Sequence, residues 1–355
     1  MSRRLLAISW DMPPLSGPRA IQVSRTLKHL VPHGWESWVV CFGPRSGRYN
    51  QDRELASRLR APGVTLVPVR SLEEQLVFRA LWRMLPPLKL LPDEKWVWIG
   101  AAARAAQRLA AERRFDRLVS FAQPWSDHLI GLRVHRSTGL PWVAHFSDPW
   151  TDSPYLRGRG WQRRLWARME ADVVRAADAL VFVNAHTARR VMGKYPGEWR
   201  RKTHIVPHGF DSDELPSVGP ASRDARLTLV YAGRFYEGIR SPEPLLRALA
   251  ALAGRRPLAR ELRLVFAGTP VPSHRRLAST LGLDDLVEFT GRLSFVESAR
   301  LAAAAQLGKV RPGHHQHSRP HAHCARISAK APAVRRMSYS RATSACDGEI
   351  LSRPS

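Results

Sequence analysis

The feature that most constrains this chain is an alternation of short apolar runs with amphipathic stretches of helical length. The runs 5–9, 38–42, 64–69, 117–121, 142–145 and 180–184 read as strands. Helical patterns occupy 20–30 and 101–112. Such an order predicts an α/β fold, with parallel strands covered on both faces by helices. Sheets of that kind hold ligands in the loops at the carboxyl ends of their strands. The pattern breaks at 207–226, where proline, glycine, serine and aspartate cluster, and this stretch is expected to link two domains. A second α/β unit follows: strands 227–231, 262–266 and 287–289, and helices 242–253, 273–281 and 295–305. The domains expected are thus 1–206 and a partial 227–307.

Composition narrows the class. The chain has 355 residues and a formal charge of +26. The cations are dispersed and mostly arginine, and no zinc-finger spacing or aromatic sheet motif organises them, so a nucleic-acid partner is not expected. The segment 157–168, RGRGWQRRLWAR, reads most simply as a solvated helix face, with an anionic membrane surface as the alternative partner. There is no apolar run of about eighteen residues, and the N-terminal apolar stretch is too short for a signal peptide. Three cysteines offer no disulfide framework. These readings predict a cytoplasmic protein, peripheral at most to the inner face of the membrane.

Three polar loops sit where strands end. DMPPLSGPR, residues 11–19, holds Gly17 and Arg19 ahead of a helix whose free N–H groups suit an anionic or polyhydroxylated ligand, although a tight turn accounts for its prolines and glycine equally well. HFSDPW, residues 145–150, places His145 and Asp148 directly after a strand; a satisfied histidine and a capping aspartate are the plain alternative. YAGRFYEGIR, residues 231–240, is the most informative. Gly233 allows close backbone approach, and Arg234 and Arg240 supply fixed charge of the kind that a departing diphosphate requires.

In sequence order these loops are joined by RMEADVVRAADALVFVNAHTARRVM, HIVPHGFD, LRLVFAGTP with Gly268, and LGLDDLVEFTGRLSFVESARLAAAA. The combination resembles the glycosyltransferase family 4-like proteins of the GT-B fold, over roughly residues 5–306. Val183–Asn184 and Pro207-His208-Gly209-Phe210-Asp211 stand at the family's strand end and hinge, and Gly233–Arg234 match its diphosphate-binding pair. The family's accompanying lysine is not matched; Arg240 is the nearby cation. The resemblance implies two Rossmann-like domains facing a cleft. It also implies transfer of a sugar from a nucleotide-sugar donor, held by the second domain through Gly233, Arg234, Arg240 and Gly268, to a glycan or lipid-linked acceptor near Gly17 and Arg19. Retention of configuration, no metal and no cofactor are implied with it, and His145 stands as the candidate for the family histidine that contacts the donor sugar. A nucleotide-sugar epimerase and a non-catalytic gene remnant are the competing readings.

Residues 308–355 do not fit that picture. Nine basic residues oppose two acidic ones, tryptophan is absent, and no apolar period is visible. The Glu-x7-Glu pair that the family uses to grip its donor is missing. Read one nucleotide along, His codons become mainly Ile or Thr codons. In that frame 310–318 can give an apolar strand, 326–329 Val-Phe-Leu-Pro, and 339–344 Ile-Ala-Gly-Arg-Pro-Val, three family-like segments in the right order. A frameshift near Leu307 is therefore expected, with no further strand after 305 and a disordered tail. His314, His315, His317, His321, His323 and Cys324 lie in that tail; with no element to hold them in geometry, they predict no metal site.

Overall fold

The computed structural model describes residues 2–44, 49–75, 77–78, 84, 91–211, 226–236, 239–269, 271–305 and 307–309. Its first part is built on seven strands: β1 (Arg3–Ile8), β2 (Trp35–Phe42), β3 (Val64–Val69), β4 (Arg117–Ala122), β5 (Trp142–Phe146), β6 (Ala179–Phe182) and β7 (Thr203–Ile205). They pair in the order β3-β2-β1-β4-β5-β6-β7, every pair parallel. The helices are α1 (Pro18–Leu30), α2 (Arg53–Arg58), α3 (Ile99–Glu112), α4 (Ser126–Thr138), α5 (Gly160–Ala176), α6 (Ala185–Met192) and α7 (Gly197–Arg200).

Alternation along β1 shows why both faces are covered. Leu6 and Ile8 point into a core with Ala102, Ala106, Ile130, Val134 and Val173, from α3, α4 and α5. Leu5 and Ala7 point the other way, to Val23 and Leu27 of α1. Each leucine, isoleucine or valine removed from water contributes roughly 1.5–3 kcal/mol, so a strand buried on both faces must be apolar throughout its length. The strand order reverses direction between β1 and β4. That switch point opens a crevice outside their carboxyl ends.

The second part carries β8 (Leu227–Ala232), β9 (Leu262–Ala267), β10 (Val287–Gly291) and β11 (Leu307–Lys309), with α8 (Glu243–Ala253), α9 (Pro272–Thr280) and α10 (Phe295–Ala304). The order is β10-β9-β8-β11, again all parallel. The expectation that no strand follows residue 305 is corrected here: Leu307, Gly308 and Lys309 pair with Leu229, Val230 and Tyr231. An edge strand needs only backbone hydrogen bonds to a neighbour, so three residues suffice without a periodic pattern to announce them. Beyond Lys309 the expected tail, its histidines and the frameshift reading lie outside the described residues, as does 212–225 of the expected linker.

The sequence also left α4 and α6 unassigned. Asn184, read as part of a family motif, has a local structural task as well, since its side chain accepts from Thr187 N at 2.8 Å and caps α6. The α10 start is fixed by a reciprocal capping box between Ser294 and Glu297.

Candidate functional site

The site is built from two sets of loops. The first set surrounds the β1/β4 switch point. After β1 the chain turns through Trp10, whose N–H donates to Asp127 Oδ2 at 2.8 Å, and Asp11, whose carboxyl burial pushes up to about 6 against the pull of Lys95 and Arg19. Gly17 is the N-cap of α1 with no side-chain cap bond, and a Cβ placed there would meet nothing within 4 Å, so its role is not a steric one. Arg19 is buried, at 8% exposure. Its Nε donates to Gln123 O at 3.4 Å, while Nη1 and Nη2 have no hydrogen-bond partner among the described residues. Burial lowers the guanidinium to about 10, opposed by Asp148, Asp127 and Asp11 around it.

His145 is the penultimate residue of β5, beside this cluster. It is buried, at 7% exposure, rather than near the surface, and its Nδ1 has no hydrogen-bond partner among the described residues. Burial, then the fields of Arg19, His208 and His128, hold the imidazole well below its usual range, so it is neutral at neutral pH. His208, from the motif entering the hinge, lies 5.9 Å from it ring to ring. Asp148 does not cap a helix; its Oδ2 is 2.9 Å from Ser147 Oγ, which also lies 3.1 Å from Ala122 O. Arg19, His145 and Asp148, assigned from separate segments, are thus brought together.

The loop beyond Asp148 is anchored by residues that the sequence reading missed. Glu170, fully buried on α5, accepts from Thr151 N at 2.9 Å, Thr151 Oγ1 at 3.1 Å and Tyr195 Oη at 2.7 Å. Lys194 Nζ lies 2.6 Å from Glu170 and 2.5 Å from Asp152. A glutamate inside an arginine-rich amphipathic helix carries no local signal that it faces inward.

The second set lies at the ends of β8, β9 and β10. Gly233 N donates to Ala267 O and Gly268 N to Gly291 O, both at 2.8 Å. Gly268 has φ +155°, and a Cβ there would stand 1.9 Å from Gly233 O, so only glycine allows this approach. Arg234 and Arg240 converge: their guanidinium carbons stand 5.3 and 5.7 Å from the Tyr236 ring centre. Antiparallel bridging of Tyr236 with Arg240 folds the segment back, and Arg240 Nη1 donates to Tyr231 Oη at 3.4 Å. Alongside is a small recess lined by Gly233, Phe235, Phe266, Gly268, His274 and Phe289. Gly233, Arg234, Arg240 and Gly268 therefore share one neighbourhood.

The two sets face each other. Tyr155 packs at a tilt against Tyr236 with ring centres 5.0 Å apart, and Arg292 Nη2 donates to Ser16 Oγ at 3.4 Å. Lys28 of α1 pairs at 2.6 Å with Asp211, which is buried.

Two parallel α/β sheets whose carboxyl-end loops confront one another across a polar cleft define the GT-B class. The chain belongs to the Glycosyl transferase 4-like domain family, whose model matches residues 20–209. A D-inositol 3-phosphate glycosyltransferase of Streptomyces scabiei is 33% identical over 284 residues, covering 66% of this chain and 59% of that protein. The chain thus spans less than two thirds of that relative. A second protein of that description, from Catenulispora acidiphila, is 33% identical over 38% of this chain and 34% of its own length. Among solved structures, the trehalose-6-phosphate synthase OtsA matches with a TM-score of 0.58 and 11% identity, over 86% of this chain and 77% of that one. Anabaena HepE in complex with UDP gives 0.53 and 15%, over 86% and 73%. The lipopolysaccharide-biosynthesis glycosyltransferase WaaG gives 0.51 and 16%, over 86% and 74%. At these identities the likeness is one of fold. Among the described residues no helix is long and apolar enough to cross a membrane.

Proposed function

We propose that this protein transfers a sugar from a nucleotide-sugar donor to a glycan or lipid-linked acceptor, with retention of configuration. The donor lies against the second sheet and the acceptor against the first. The observation that carries the reading is the convergence of Arg234 and Arg240 on one aromatic ring at the end of β8, beside a glycine-lined recess. Breaking a sugar–phosphate bond leaves negative charge on the β-phosphate, and guanidinium groups already in place stabilise it without reorganisation. In this reading they do so with no metal ion. The glycosyltransferase names of the relatives and the UDP bound to HepE support the same assignment. Neutral His145 can give or accept a hydrogen bond with a sugar hydroxyl, and Asp148 and Arg19 flank it on the acceptor side.

Calorimetric titration with UDP and GDP, followed by acceptor-dependent release of nucleoside diphosphate from sugar-nucleotide pools, tests the reading. Arg234→Ala should cut turnover about a hundredfold, the usual order for loss of one charge-stabilising donor. Unchanged turnover removes Arg234 from the site. A nucleotide-sugar epimerase is the second reading, favoured by the meeting of Asp11, Asp148, His145 and Arg19 at one switch point. Inversion of a sugar carbon without any acceptor would select it.

We also propose that the protein works at the inner face of the membrane. Trp161 is 47% exposed on α5, among the exposed Arg157, Arg159, Arg163, Arg164 and Arg168. Sedimentation with phosphatidylserine vesicles but not with neutral ones is the expected result; no sedimentation with either sinks it.

A further inference from the structure

Tyr155 belongs to the first sheet's side of the cleft yet touches the second. It stands seven residues beyond Asp148, on the loop whose Thr151 is fastened to buried Glu170 and whose Asp152 is fastened to Lys194. Its ring is 5.0 Å from that of Tyr236, with the planes at 48°. Tyr236 in turn carries the guanidinium groups of Arg234 and Arg240. Burial pushes the Tyr155 phenol up and the Arg240 charge opposes it, with Tyr236, Asp148 and Tyr231 adding to the rise, so both arms of the site act on this one side chain.

A second ring packed at a tilt against a cation-bearing ring does two things. It takes up the side of the aromatic that water would otherwise occupy, and it lowers the dielectric around the charges, which strengthens their pull on an arriving anion. We propose that Tyr155 is a donor-positioning residue contributed by the first sheet. With Tyr236 it forms an aromatic clasp that holds the two arginines in place and closes the cleft over the diphosphate. The inference rests on the donor reading of Arg234 and Arg240.

The test is calorimetric titration of the full chain with UDP and with inorganic pyrophosphate. Tyr155→Ala and Tyr236→Ala should each weaken binding about five- to tenfold, and Tyr155→Phe, which keeps the ring, by less than about twofold. The double variant should bind no more weakly than the weaker single one, because the two rings act as one contact. A purely structural role would instead lower the melting temperature and leave the two losses independent. Tyr155→Ala binding like the wild type while Arg234→Ala loses binding would overturn the clasp alone. If Arg234→Ala binds normally, or the wild type binds neither ligand, the donor reading fails and the clasp with it.

Discussion

Asp11 sits between opposing demands. Burial raises its carboxyl from 3.8 to about 6, while Lys95 and Arg19 favour the charged form. A folded-state value above the unfolded one means that the folded protein binds the proton more tightly. The stabilisation is then complete below pH 3.8 and is lost as the pH rises through about 6. Asp11→Asn keeps the shape and removes the charge, so it should melt with the wild type below pH 3.8 and roughly 1–3 °C above it at pH 8, part of the carboxyl surface being open to solvent. His128 and His145 titrate in both proteins and cancel from the difference. A variant that melts lower at pH 8 would show instead that Arg19 needs the Asp11 carboxylate. Single residues were also where the sequence was least legible. Arg234 and Arg240 could be named as candidates because cations at strand ends have little use in a core, and Gly268 only through the family resemblance. Asp11, Asp127 and Glu170 could not, because their importance comes from burial that only the assembled sheet creates.

At the level of elements the pattern was plain where apolar residues are continuous. β1 and β4 lie close to their expected positions, since strands buried on both faces must be apolar throughout, and the half-exposed edge strand β3 was legible from its β-branched residues alone. α4 was hidden by Ser126, Asp127 and His128, polar residues that are buried to serve the switch point. β11 was hidden because three paired residues carry no period. The element that most needs support is the loop from Asp148 to Tyr155, and its anchor is α5. Replacing Glu170 by Gln should cost about 1–3 kcal/mol, because Lys194 loses a buried partner and three donors lose a charged acceptor. Urea denaturation measures that loss, and amide exchange at residues 148–155 should quicken with it. Unaltered exchange would mean that other contacts hold the loop.

For the molecule as a whole, two separate parallel sheets and their facing loops were legible, because the α/β alternation restarts after 226. The chain beyond Lys309 is the open part of that reading. A version with the expected frame restored after Leu307 should supply the acidic pair that the present sequence lacks and bind a nucleotide-sugar at least about tenfold more tightly, as expected for two added charge-assisted hydrogen bonds. Equal affinity in calorimetry would show that the present ending is a working one. The buried Arg19 has a consequence for synthesis. Of the carboxylates that surround it, Asp11 precedes it but Asp127 and Asp148 lie more than a hundred residues downstream, so a nascent chain that has not yet delivered β4 and β5 can offer that guanidinium only one of its three counter-charges. Helix α1 therefore gains its full buried surroundings only once the middle of the chain has been made.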